Sequence, residues 1–450
     1  MQLNLKYLAV ALLLYVFAIV YLSYGIEQDD FFQTFSVYSI AFLVYLYCVR
    51  IRNDFSLKTW LWIALILFVI PFFSIPPLSP DVYRFLWDGE LVTLGIHTYS
   101  YTPNELMENS KVVNSSEYLN FLYQHTTDLS KGNYTIYPTI HQVYFLIPAY
   151  LSDDFLSSLI ILRLLMFATL ILGVKYFLKI SALLDISSRN SVLLFLNPIL
   201  IIEVMGNLHF EGVMLAWLLP GIYYLMKNAW LKSSLFWAIA INIKLTPLIL
   251  LPFLFRYLGL KLSLKFYTVT FTSTVGLLLI YMWPSVFLNF LQSLELYFDN
   301  FEFNAGIFYL TKWISSFFLT GNPTLVVGPI LSVLAFISIL WLAFYQPISS
   351  NFTLLNRMMW GYLIYLLLAT TVHPWYVILP FGLAVFSANI GVMSWTLFIM
   401  LSYGFYSFDN SIWSYSLIAL EYSLVILLLL FPRSKFQIKI RSLLKLESIQ

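Results

Sequence analysis

An aspartate, an arginine and a second aspartate recur at i, i+3 and i+7 in Asp81-Val82-Tyr83-Arg84-Phe85-Leu86-Trp87-Asp88. On a helix this spacing places two carboxylates and a guanidinium on one face. Such carboxylates can take a proton from a hydroxyl or accept hydrogen bonds from a sugar, and a guanidinium can bind phosphate. A surface helix with one salt bridge is the plainer alternative. Glu203, Asn207, His209 and Glu211 put four polar groups into nine residues, either a functional cluster or a hydrated loop. Lys244 stands in an apolar stretch beside Thr246-Pro247. A lysine at the centre of a membrane helix costs roughly 2.5 to 3.5 kcal/mol, so it needs an anion or a polar cavity unless it snorkels to the cytoplasm. Val372-His373-Pro374-Trp375-Tyr376 adds an imidazole and two aromatic rings, suited to a ligand or to an interfacial aromatic belt.

The elements that must position these groups are membrane helices. Apolar residues make up 60% of the 450-residue chain and charged residues 10%, which excludes an ordinary soluble domain. A span needs about 20 mostly apolar residues, and backbone groups in lipid must pair internally. Continuous Leu/Ile/Phe-rich runs favour helices over the alternating pattern of a barrel strand. Crossings are expected at 5–24, 34–49, 59–75, 157–174, 191–207, 212–226, 264–283, 324–345, 357–371, 374–390, 392–406 and 413–431. Residues 134–150, interrupted by Pro138, His141 and Pro148, suit an interfacial or re-entrant helix. Ser79 and Pro80 are start signals for a helix running until Gly95. The single cysteine, Cys48, forms no internal disulfide, and a net charge of +2 gives no reason to expect nucleic acid.

Lys and Arg in short loops favour the cytoplasm. With the N-terminus inside, 18 of the 24 basic residues fall on cytoplasmic segments, the tail residues Arg433, Lys435, Lys439, Arg441 and Lys445 among them. Residues 234–255 must then enter and turn back, as two half-helices meeting near Lys244. The whole chain, 1–450, reads as one membrane domain. It has a large external loop at 76–156, a second at 284–323 and a basic cytoplasmic tail at 432–450. Acidic residues gather outside, including Glu27, Asp29, Asp30, Asp81, Asp88, Glu90, Glu295, Asp299 and Glu302, against Asp54, Asp185 and Glu447 inside. This topology delivers Asp81, Asp88, Glu203, His209, Glu211 and His373 to one side. No P-loop or dinucleotide signature is present, which favours nucleotide-independent chemistry.

Asp81 through Gly89, then Gly95-Ile96-His97-Thr98-Tyr99-Ser100-Tyr101 with Pro103, and Tyr137-Pro138, resemble the first external loop of bacterial polyprenol-phosphate-mannose-dependent mannosyltransferases and GPI-mannosyltransferase-like proteins, members of the GT-C glycosyltransferases. Asn197-Pro198 through Glu203, Gly206-Asn207 with His209, Lys244-Leu245-Thr246-Pro247 and His373-Pro374-Trp375-Tyr376 match further family-like blocks in order. The chain departs at His97-Thr98-Tyr99, where relatives carry Asn-Pro-Tyr, and at His209-Phe210-Glu211, where a His-Asn-Asp-like run is usual.

The resemblance implies an all-α GT-C bundle of about 12 to 14 transmembrane or re-entrant helices, with juxtamembrane helices on its external loops. It implies transfer of a sugar, expected to be mannose, from a polyprenyl-phosphate donor to a glycan, lipid or protein acceptor, with inversion, at the periplasmic face of a bacterial inner membrane. The family's catalytic base maps onto Asp81. By position and charge type, Asp88 and Glu203 are expected to orient sugar hydroxyls, and Lys244, Arg84 or His373 to hold the donor phosphate. Tyr137, Asn207, His209, Glu211, Trp375 and Tyr376 complete the expected substrate site. No cofactor is implied, although external acids can coordinate a divalent cation. A flippase for lipid-linked saccharide and a polysaccharide polymerase or ligase stay open as alternatives.

Overall fold

The structure, a computed structural model, describes residues 2–299, 301–408, 411–432 and 434–446. Arg433 and Glu447 lie outside the described residues, as do the side chains of Glu295 and Asp299. The chain is an all-α integral membrane protein. The only β-type pairing among the described residues is an isolated parallel bridge between Phe303 and Thr371.

Among the described residues, seven helices are long and apolar enough to cross a membrane: Leu5–Tyr24, Phe31–Arg50, Phe155–Leu183, Leu260–Tyr281, Thr324–Phe344, Ile390–Phe408 and Ile412–Leu430. The expected crossing 357–371 lies in the continuous 18-residue helix Asn351–Leu368, which is not among these seven, and the other expected crossings are shorter or broken. Leu57–Phe73, Glu211–Met226 and Pro374–Ser387 fall short of a full span. The run 191–207, expected as one crossing, consists of Ser188–Phe195 and Leu200–Gly206 with a 62° bend between them. Proline is the cause: Pro198 has no N–H to donate and keeps Asn197 out of the helical region. The Asn197 side chain takes over at the break, accepting from the Ile199 amide at 3.0 Å and donating to Thr396 Oγ1 at 2.9 Å. Beyond it the chain resumes as a π-helical turn, Leu200–Gly206, which carries Glu203.

Two other helical segments shape the site. Trp230–Ile243 ends at Lys244, whose backbone is extended (φ −150°, ψ 137°), and the chain turns back through Thr246–Leu250 and Leu251–Leu258. Residues 139–151 form a helix with Pro148 inside it, packed on Asp81–Thr93. Gly89 permits that contact, because a Cβ there would lie 2.3 Å from the Phe145 carbonyl oxygen. The helix carrying Asp81 starts one residue later than the capping pattern suggests. Pro80 occupies the cap position, and the Ser79 hydroxyl accepts from the Asp81 amide at 3.3 Å.

The far end of the bundle is closed by Arg52. Its guanidinium donates to Asn190 Oδ1 at 3.0 Å and to the Leu444 and Lys445 carbonyls that end the tail helix Lys435–Leu443. The end carrying the 76–156 segment is open.

Candidate functional site

At the open end, four separate stretches of chain converge on one cavity of about 460 Å³. Ser79 and Asp81 enter from the start of Asp81–Thr93, and His209 and Glu211 from the turn before Glu211–Met226. Lys244 arrives from the junction of the half-helices, and His373, Trp375 and Tyr376 from the turn after Asn351–Leu368. Tyr137 borders the same space. Eight of the sequence-derived residues therefore share one pocket, while Arg84, Asp88, Glu203 and Asn207 lie behind its walls.

Asp81 sits in the first turn of its helix with 36% of its side chain exposed toward the cavity. Enclosure by protein pushes its carboxyl above the usual aspartate range, against the opposing pull of His209, Lys244 and the Ser79 hydroxyl. His209 Nε2 lies 3.9 Å from Asp81 Oδ2. Its other nitrogen, Nδ1, is 2.9 Å from Glu203 Oε2. The ring is held from below by backbone: the His209 amide donates to the Glu203 carbonyl at 2.9 Å, and Leu208 adopts φ 63° to let the chain fold back. A left-handed residue other than glycine costs on the order of 1 to 3 kcal/mol and persists where its surroundings enforce it.

Behind this pair the buried polar residues bind the segments to one another. Asn207 accepts from the Leu78 amide at 3.2 Å and donates to Glu203 at 3.2 Å, joining the segment leading to Asp81 with the turn carrying His209. Tyr403 donates to Glu203 Oε1 at 2.8 Å. Arg84 and Asp88, expected on one face with Asp81, form a buried ion pair at 2.9 Å. Arg84 also donates to the Ser130 and Asn133 carbonyls, and Asp88 accepts from Gln142 at 3.0 Å. The pair thus anchors residues 130–133, whose Ser130 forms part of the cavity wall.

Lys244 is paired with Glu211 and lies 4.7 Å from the centre of the Tyr376 ring. Its side chain keeps 29% exposure, so it is not sealed off from the cavity. Trp375 is covered on both faces, by His209 (ring centres 3.4 Å apart) and by His373 (4.4 Å, 3° between planes). The indole therefore clamps two imidazoles and has no open face for a sugar. Burial, and then the nearby His209 and Lys244, push His373 well below the usual imidazole range, leaving it neutral at neutral pH. Among the described residues no three His, Cys, Asp or Glu side chains converge to hold a metal ion, and Glu211 already answers Lys244.

The sequence reading passed over Arg163, nine residues into Phe155–Leu183 and fully buried. It donates to the Met205, Gly206 and Phe72 carbonyls at 2.8, 2.9 and 2.9 Å and to Ser74 Oγ at 3.3 Å. One guanidinium thereby fixes the turn leading to His209 and the segment leading to Asp81. A lone arginine inside an apolar run was the available signal.

Residues 27–259 match the family model described as alpha-(1→6)-mannopyranosyltransferase, N-terminal domain, of the MptA_B family. The match covers just over half of the chain and takes in Asp81, Arg163, Glu203, His209, Glu211 and Lys244. No curated protein matches the chain.

Proposed function

Because the chain belongs to the alpha-(1→6)-mannopyranosyltransferase family of GT-C glycosyltransferases, we propose that it moves mannose from a polyprenyl-phosphate donor to an acceptor hydroxyl at the outer face of a bacterial inner membrane, with inversion. The observation that carries this reading is the meeting of one carboxylate, Asp81, and one accessible cation, Lys244, in a single cavity of a membrane-embedded bundle. A lipid monophosphate needs the cation, and an attacking hydroxyl needs the base.

Asp81 accepts the acceptor's proton while that oxygen bonds to the sugar C1 and the C1–O(phosphate) bond breaks, the electron pair leaving on phosphate. Lys244 has three N–H donors; one meets Glu211, and the others serve phosphate oxygens. The cavity's position supports an external site, because the loops rich in Lys and Arg belong to the opposite side. Arg84, Asp88, Glu203 and Asn207 take supporting roles in this proposal, holding the walls and the His209 ring. A single inverting displacement that ends in an α-linked product requires a β-linked donor. The product made from a defined polyprenyl-phosphate β-mannose should accordingly be released by α-mannosidase and resist β-mannosidase; the reverse result overturns the inverting reading.

Lys244→Gln is expected to raise the donor KM by roughly 10- to 100-fold, the worth of one or two charge-assisted hydrogen bonds. Initial rates against donor concentration measure it, and an unchanged KM removes Lys244 from phosphate binding. The pH dependence follows from Asp81. Its carboxyl titrates above the ordinary aspartate value of about 4, and only the ionised form is a base. The rate should therefore fall, as pH is lowered, at a higher pH than an exposed aspartate would impose. A kcat/KM profile level down to about pH 4 contradicts the assignment.

A further inference from the structure

We propose that His209 and Glu203 form a proton relay behind Asp81, so that the proton taken from the acceptor hydroxyl comes to rest on His209 before product leaves. The inference rests on Asp81 being the base. It assigns to Glu203 a positioning role that needs no contact with the sugar.

Three observations support it. First, Glu203 is fully buried, sits in a π-helical turn and does not reach the cavity; single π-turns recur at functional sites. Burying a carboxylate costs several kcal/mol unless its charge is used. Its two oxygens accept from Tyr403 on one side and from Asn207 and His209 on the other, a set of donors that a glutamine, with a single acceptor oxygen, would leave partly unanswered. Second, the carboxylate at Nδ1 requires that nitrogen to carry the proton. In the neutral ring the lone pair is then on Nε2, which points toward Asp81 at 3.9 Å and has no hydrogen-bond partner among the described residues. Third, Trp375 lies flat over the ring and fixes its plane.

Asp81 gains the proton as the new C–O bond forms and the C1–O(phosphate) bond breaks. A small approach of the two side chains passes the proton to Nε2, the imidazolium rests between the Glu203 and Asp81 carboxylates, and the proton later leaves to water at the cavity mouth. Other titratable groups face this trio: Tyr38 and Tyr403 near Glu203, Tyr406 near Glu203 and Asp81, and His373, Lys244 and Glu211 across the cavity.

The test uses the purified full chain and has two readouts. An imidazolium quenches an indole stacked on it, so the fluorescence difference between the protein and its Trp375→Phe counterpart reports, without any turnover, protonation of the two rings on that indole, His209 and His373. The component that disappears in His209→Asn belongs to His209. Its midpoint should move to lower pH, by roughly one unit or more, in both Glu203→Gln and Asp81→Asn, each of which removes an opposite charge within reach of the ring. In mannosyl transfer, Glu203→Gln should lower kcat about tenfold or more and alter the pH profile while the donor KM stays the same. An unmoved midpoint in Glu203→Gln, or a raised KM with kcat and pH profile intact, overturns the relay. If Asp81→Asn keeps the full rate, the base assignment is what fails. If Asp81→Asn is inactive while Glu203→Gln matches the unaltered protein in midpoint and kcat, the relay alone is wrong.

Discussion

Asp81→Asn is expected to lower kcat for mannosyl transfer by roughly 10²- to 10⁴-fold, the range over which a positioned general base contributes. Asparagine keeps the size of the side chain, and the Asp81 amide keeps its bond to Ser79, so the fold and the cavity should survive. What disappears is the capacity to take a proton. Because Asp81 is not the phosphate-binding group in this account, the donor KM should change little, and the loss should fall on kcat and kcat/KM alike. Initial-rate kinetics on the two proteins separate the alternatives: a comparable loss confined to KM would make Asp81 a sugar-binding residue.

Arg163→Met should have the largest effect on stability. The guanidinium donates to three carbonyls and a hydroxyl from two segments that do not otherwise share a helix. Methionine fills much of the volume but leaves buried acceptors unpaired, at a cost of about 3 to 5 kcal/mol if the surroundings do not rearrange. Activity should be lost as well, although Arg163 does not line the cavity, because Phe72 and Ser74 lead to Asp81, and Met205 and Gly206 lead to His209. Arg163→Lys should fall between the two, since a point charge on a flexible stem cannot reproduce a planar fork meeting four acceptors. Thermal unfolding in detergent together with the transfer rate checks both. Unaltered values for Arg163→Met would show that the two segments hold their places without it.

The groups that share the cavity were legible before any coordinates because an apolar chain has few places to put charge. Once the basic loops select one side, Asp81, His209, Glu211 and His373 have only the other end of the bundle. Lys244 was ambiguous in sequence, approaching from the basic side. The half-helices Trp230–Ile243 and Thr246–Leu258 carry it far enough to meet Glu211.

What spacing along a helix does not supply is rotation. Positions 81, 84 and 88 lie near one face, yet the partners that draw Arg84 and Asp88 inward, Asn133 and Gln142, come from more than forty residues away in sequence. Glu203 turns away from the cavity for the same reason, since Tyr403 and His209 claim both of its oxygens. Hydropathy also hides interruptions. The run 191–207 is apolar throughout its first turns, and only the Asn197-Pro198 pair marks the bend that presents Glu203. Arg163 was hidden in the same way, one charge within an otherwise apolar helix.

The most direct measurement of the central claim is donor choice by the purified protein in lipid. It should be offered radiolabelled mannose as a polyprenyl monophosphate, as a polyprenyl pyrophosphate and as a nucleotide sugar, with a mannoside acceptor. Label should reach the acceptor from the monophosphate alone and should fail to do so with Asp81→Asn. Transfer from the pyrophosphate or the nucleotide sugar with none from the monophosphate, or equal transfer by the Asp81→Asn protein, would contradict the account.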